Sequence, residues 1–86
     1  MSLFKKQGQA IALRYMPQND AAPIVTVSES QDKAQTVKQL ARRYGVPIIK
    51  NEKLTNKLNS IKVDSSIPAD LYKDVAIIFA SLQRQK

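Results

Sequence analysis

The chain contains no cysteine, no histidine and no tryptophan. Without thiols it has no disulfide staples, no thiolate zinc ligands and no cysteine nucleophile. Without imidazole it lacks the commonest general base and the commonest transition-metal ligand, so a Ser-His-Asp site is excluded and conventional zinc catalysis has no ligand set. Glycine is scarce: Gly8 and Gly45 are the only two, far apart, and neither a phosphate-cradling loop nor a dinucleotide fingerprint can be built from them. Long apolar runs are also missing. The longest nearly apolar stretch, Val75 to Leu82, is less than half of the roughly 18 residues a membrane span needs. Residues 1–8 hold no apolar core long enough for a secretory signal. These absences predict a cytoplasmic protein that is not an enzyme, with no catalytic residue, no cofactor and no metal.

What is present describes one small domain. The 86 residues carry 43% apolar and 24% charged side chains, an ordinary globular mix. A domain of this size buries only about 60–65% of its unfolded surface, so its core is thin. Fourteen Lys and Arg against seven Asp and Glu give a net charge of +7. Such an excess favours acidic partners, nucleic acid or a membrane surface, or serves solubility alone.

Ile11, Leu13 and Tyr15 alternate with Ala10, Ala12 and Arg14, which predicts a strand over 9–15 whose alanine face leaves room for a closely packed neighbour. A loop follows from Met16 to Pro23, with two prolines, and then the β-branched run Ile24–Val27 reads as a buried strand. Residues 28–44 read as a helix with Ala34, Val37, Leu40, Ala41 and Tyr44 on one stripe and Lys33, Lys38, Arg42 and Arg43 mostly off it. Ser28, spaced from Gln31 as in a capping box, and Ser30 are both plausible caps, and Gly45 suits the position just past the end. Val46–Ile49 reads as a short strand with Pro47 at its beginning or on an edge. Strand, helix and strand then form a βαβ unit with parallel strands. Asn51 caps a short helix through Asn59, Ile61–Val63 is a brief extended connector, and Pro68 opens a last helix running to about Gln83. The expected fold is α/β: a small mixed β-sheet of three to four strands, with one βαβ unit, flanked by about three helices. Residues 1–8 are expected to be an N-terminal tail and 9–86 a single domain.

Three residue groups are candidates for function. Asp70 and Asp74 share a helix face and could bind a cation, although acidic residues near a helix start also simply favour its dipole. Lys33, Lys38, Arg42 and Arg43, followed by Lys50, Lys53 and Lys57, could line a nucleic-acid surface, yet the strands offer only Tyr15 for base stacking. The last helix carries two adjacent apolar stripes, Leu71, Val75, Ile78 and Leu82 beside Tyr72, Ala76 and Phe79. Ala76 and Phe79, with Ala22 and Pro23 beside a strand, either form an exposed apolar docking patch or belong to the ordinary core.

Several of these segments, taken in order, resemble one family. Ala10-Ile11-Ala12-Leu13-Arg14-Tyr15 is similar to the Ala-Val-Ala-Leu-Arg-Tyr strand of the FlhB C-terminal cytoplasmic domain family, which belongs to the export switch protein of flagellar and type III secretion. Ala22-Pro23-Ile24-Val25 resembles its Ala-Pro-x-Val, and Gly45-Val46-Pro47 its Val-Pro after the helix. Leu54 and Leu58 fall where the family has Leu-Ala-x-x-Leu-Tyr. The segment from Ile67 to Ala76 is similar to Ile-Pro-x-x-Leu-Tyr-x-x-Val-Ala. The likeness spans residues 9–83, and its specificity lies in the order and spacing of motifs that are individually weak.

The departures from the family are equally informative. Lys5-Lys6-Gln7-Gly8 stands where the family carries the Asn-Pro-Thr-His motif at which its chain cleaves itself, so no self-cleavage is expected here. The family's transmembrane part is also missing from this sequence, which is expected to be a free-standing, soluble counterpart. The resemblance implies contacts with type III export substrates of rod and hook type and with cytoplasmic export-gate proteins, through Ala22, Pro23, Ala76 and Phe79. It implies a place in the cytoplasm, peripheral at the export apparatus, without membrane insertion and without nucleic acid as a partner; a small basic nucleic-acid-binding protein is the alternative reading. In the family a further strand completes the sheet; here Leu3–Lys6 either replaces it or leaves an open sheet edge to which a partner's strand could add.

Overall fold

Seven elements follow one another: β1 (Ser2–Lys6), β2 (Gln9–Arg14), β3 (Ile24–Ser30), α1 (Gln31–Arg43), β4 (Ile48–Lys50), α2 (Glu52–Leu58) and α3 (Ala69–Gln83). The computed structural model describes residues 1–16 and 18–83; Pro17 of the expected loop and residues 84–86 of the expected domain lie outside the described residues. The four strands form one sheet in the order β3-β2-β1-β4. β2 runs antiparallel to both β1 and β3, and β4 runs parallel to β1. The sheet is therefore mixed, and β3 and β4 point the same way, as a βαβ unit requires. They do not touch, because β2 and β1 lie between them.

Strand alternation sorts the side chains into two layers. Ala10 and Ala12 of β2 join Leu3, Ala34 and Ala41 under α1, while Ile11 and Leu13 join Phe4, Val25, Leu54, Leu58, Ile67, Leu71 and Val75 under α2 and α3. The alanine face admits α1 closely, as the alternation predicts. A β-bulge between Ala12 and Leu13 inserts Thr26 as an extra residue in β3. Its hydroxyl donates to the Ala12 carbonyl at 3.3 Å. The insertion sends Val25 to the larger core and Val27 to the α1 side.

Residues 1–8, expected as a tail, instead contain β1, and β1 is a central strand. The physical reason is that it is buried on both faces, Leu3 on one and Phe4 on the other, so it shows no alternation to read. The gap between β2 and β4 is thereby filled, and the open edge considered for that place does not exist. Gly8 takes a φ of +76° in the turn from β1 to β2, a value that suits a residue without Cβ. Helices hold this hairpin from both sides. The Lys38 amine of α1 donates to the Lys6 carbonyl at 3.0 Å. Lys6 and Gln9 reach Asn56 and Asn59, of α2 and its C-cap, with their side chains.

Two further expectations shift. β3 continues to Ser30, so α1 begins at Gln31 rather than at residue 28. Ser30 occupies the N-cap position with extended backbone but makes no side-chain cap bond, and Ser28 lies inside the strand. The buried row of α1 is Ala34, Lys38 and Ala41. Leu40 and Tyr44, expected on the stripe, are 45% and 74% exposed, and Lys38, expected off it, is only 7% exposed. Asn51 caps α2 as predicted, its side chain accepting from the Leu54 N–H at 2.9 Å. Residues 61–63 bend into a turn with Asp64 at φ +72°, rather than running as an extended connector. The chain then lies along the first half of β3, with N–H bonds from Val25 to Ser65, Asp64 to Val25 and Ile67 to Pro23.

Candidate functional site

The site expected from the residue pattern centres on α3. Its first turn is seated by the Pro68 carbonyl, which accepts from the N–H groups of Leu71 at 3.0 Å and Tyr72 at 3.1 Å. Leu71 and Val75 point into the core. One step around the helix, Tyr72, Ala76 and Phe79 form a half-buried apolar flank at i, i+4 and i+7 spacing. Phe79 belongs partly to the core: its ring centroid lies 6.5 Å from that of Phe4, with the rings tilted by 50°. Phe79 thus presents both readings at once, an edge toward solvent and a face toward the core, and Ala76 beside it is half-buried.

Tyr72 connects this flank to the end of β2. Its hydroxyl donates to the Tyr15 hydroxyl at 2.7 Å, and the two rings meet edge to face with centroids 5.7 Å apart. That hydrogen bond, reinforced by burial, raises the Tyr72 pKa above the ordinary phenol value. Arg14, immediately before Tyr15, pairs in the sheet with Ile24, and Ala22 and Pro23 lead directly into Ile24. Both halves of the expected patch therefore flank the Tyr15–Tyr72 contact. Within it, Ala22 is half-buried and accessible, whereas Pro23 is less than 2% exposed. The segment entering α3 closes over that stretch through the Ile67 N–H bond to the Pro23 carbonyl, 2.9 Å long. The preceding loop is pinned by Asp20, whose carboxylate accepts from Arg14 at 3.3 Å and from the Met16 N–H at 3.0 Å. No local sequence signal marks the aromatic pair, since its members are 57 positions apart.

The other candidates come apart. Lys38 is buried under α1. Its desolvation, with the charges of Lys5 and Arg42 nearby, lowers its pKa below the ordinary lysine value. Lys33, Arg42 and Arg43 lie on α1, on one face of the sheet, and Lys53 and Lys57 lie on α2, on the other. They do not make one basic surface. Asp70 occupies the first turn of α3, the position its dipole favours. Among the described residues no group of three or more His, Cys, Asp or Glu is arranged to hold a metal ion, and no helix is long and apolar enough to cross a membrane.

A four-stranded mixed sheet with one helix on one face and two on the other, and a half-buried apolar flank on the last helix, define a small α/β domain. The chain belongs to the FlhB HrpN YscU SpaS family, whose model matches residues 7–82. The flagellar biosynthetic protein FlhB of Aquifex aeolicus (strain VF5) is 33% identical to it over 78 residues, 90% of this chain and 22% of that protein. The uncharacterized protein YlqH of Bacillus subtilis (strain 168) is 34% identical over 76 residues, 88% of this chain and 82% of that protein. The cytoplasmic domain of FlhB from Shewanella putrefaciens superposes with a TM-score of 0.94 at 26% identity, covering 99% of this chain and 72% of that one. This chain thus spans about a fifth of the FlhB relative and most of YlqH.

Proposed function

We propose that this chain is a non-enzymatic, cytoplasmic component of flagellar or related type III protein export that binds export substrates or export-gate proteins. It stands in for the C-terminal part of an FlhB-type switch protein. The likeness to a cytoplasmic FlhB domain across 99% of the chain carries this reading. The contact surface is the half-buried flank Ala76–Phe79 with Ala22 at its far side, and Pro23 shapes that side from beneath rather than touching the partner. Lys5-Lys6-Gln7-Gly8, the end of β1 and the turn after it, stands where the family carries Asn-Pro-Thr-His, so the purified chain keeps its full mass on prolonged incubation.

The test is a titration of the purified chain with rod and hook export substrates and with cytoplasmic domains of export-gate proteins. Ala76→Asp is the diagnostic variant, because it charges the flank without emptying the core; Phe79→Asp is read beside it with circular dichroism as the fold control. Binding that Ala76→Asp abolishes supports the reading. Absence of binding to either partner class, or binding that Ala76→Asp leaves unchanged, removes it. Affinity for apolar docking should hold in salt, whereas binding of nucleic acid would fall steeply.

A further inference from the structure

A second surface lies on the opposite side of α3. A groove of ≈ 250 Å³ opens between α2 and α3, lined by Asn51, Lys53, Leu54, Lys57, Asp74 and Ile77. At about 100° per residue, Asp74 and Ile77 fall on the flank of α3 away from Tyr72, Ala76 and Phe79. Leu54 forms its buried floor, and Ile77 is 61% exposed although it lies in the middle of a helix. Lys53 and Lys57 are exposed and one turn apart on α2. Among the described residues the one ion pair is Arg14–Asp20, so neither lysine is matched by a carboxylate there. Asn51 is already engaged in capping Leu54.

We infer that this groove docks an acidic segment of a partner protein, with a large apolar side chain of that segment seated on Ile77 and Leu54 and its carboxylates facing Lys53 and Lys57. Asp74 on the α3 wall fixes the polarity, since it repels acid on its own side and leaves the α2 side for it. A second copy of this chain is a poor occupant, because two molecules of net charge +7 repel one another. A polyphosphate would meet Asp74 and make no use of Ile77. The groove is separate from the proposed substrate flank, so both can be filled together.

The experiment uses the full chain labelled with nitrogen-15. The probes are a synthetic helical peptide with leucine at every third or fourth position and glutamate elsewhere, and the same peptide with lysine replacing glutamate. Resonances of Lys53, Leu54, Lys57, Asp74 and Ile77 should move with the acidic peptide and not with the basic one. Ile77→Asp, and separately Lys53→Glu with Lys57→Glu, should each weaken binding by about tenfold or more. All three positions are exposed or at the rim, so folding is not at stake. Ala76→Asp should leave this binding unchanged, and Ile77→Asp should leave export-substrate binding unchanged, which keeps the two readings separable. The inference is overturned by absence of binding at millimolar peptide, by equal binding of both peptides, or by resonance changes centred on Tyr72, Ala76 and Phe79. It is equally overturned if a DNA duplex or anionic phospholipid vesicles shift the groove resonances more strongly than the peptide, or if Ile77→Asp abolishes a self-association of the chain.

Discussion

The two faces of the sheet are built from different materials. Under α1 the buried contact is made of Ala10, Ala12, Ala34 and Ala41 with Leu3, with Val27, Val37, Val46 and Ile48 at the margin, and a lysine completes the row. Under α2 and α3 it is made of Phe4, Ile11, Leu13, Leu58 and Val75, with Phe79 and Ile78 at the margin. Small side chains let a helix approach closely but bury little apolar area, whereas large ones supply most of the driving force of a thin core. The alanine face therefore fixes geometry, and the larger face supplies stability and carries both proposed contact surfaces.

This contrast is open to direct attack. The largest effect should come from Phe4→Ala, which empties the larger core beneath Phe79 and is expected to cost about 3–5 kcal/mol in denaturant unfolding. A domain of this kind holds only about 5–15 kcal/mol in all, so the variant should lie near the limit of folding. On the other face the damaging change is enlargement: Ala10→Leu should lose about 1–3 kcal/mol by forcing α1 away from the sheet. Thr55→Val should go the other way. The Thr55 hydroxyl is buried without a hydrogen-bond partner, and its removal should raise stability by about 1 kcal/mol.

The smallest test separates the faces by their response to alkali. Lys38 has its pKa lowered in the folded chain, so the unfolded chain binds that proton more tightly. Its contribution to stability therefore rises as pH climbs from the folded pKa toward 10.5. Tyr72 has its pKa raised, so its contribution is complete below pH 10.0 and is lost as pH rises through the folded value. Denaturant unfolding at stepped alkaline pH should show that Lys38→Met removes the gain and Tyr72→Phe removes the loss. If both variants kept the wild-type pH profile, the proton linkage assigned to each face would be wrong.

Much of this architecture was legible from the residues. The alternation in β2, the β-branched start of β3, the cap at Asn51 and the apolar rows of α3 each carry a local signal that the fold preserves. β1 was not legible, because a central strand buried on both faces needs no alternation, and Ser-Leu-Phe-Lys-Lys looks like a polar tail with two apolar residues. Lys38 departs from its expected place for a related reason. Its i+4 spacing from Ala34 put it on the buried row, but its charge argued for solvent, and only the Lys6 carbonyl at the end of β1 explains its place. Hydrophobicity draws Leu40 and Tyr44 into the stripe, but it does not say on which row a helix leans. In the candidate site the α3 flank was visible as a second stripe. The burial of Pro23 was not, because the segment that covers it arrives more than 40 residues later.

The borders of the sheet have a consequence for handling the protein at high concentration. β4 is only three residues long, is preceded by Pro47, which has no N–H to offer, and ends in Lys50. The front half of β3 is sealed by residues 64–67, and its outer half carries Glu29. Neither margin gives a stranger's backbone a long, flat, uncharged row to join, which is how fibre growth starts. Concentrated solutions should accordingly stay clear, even though the molecule leaves apolar side chains such as Ile77 and Tyr44 in contact with water.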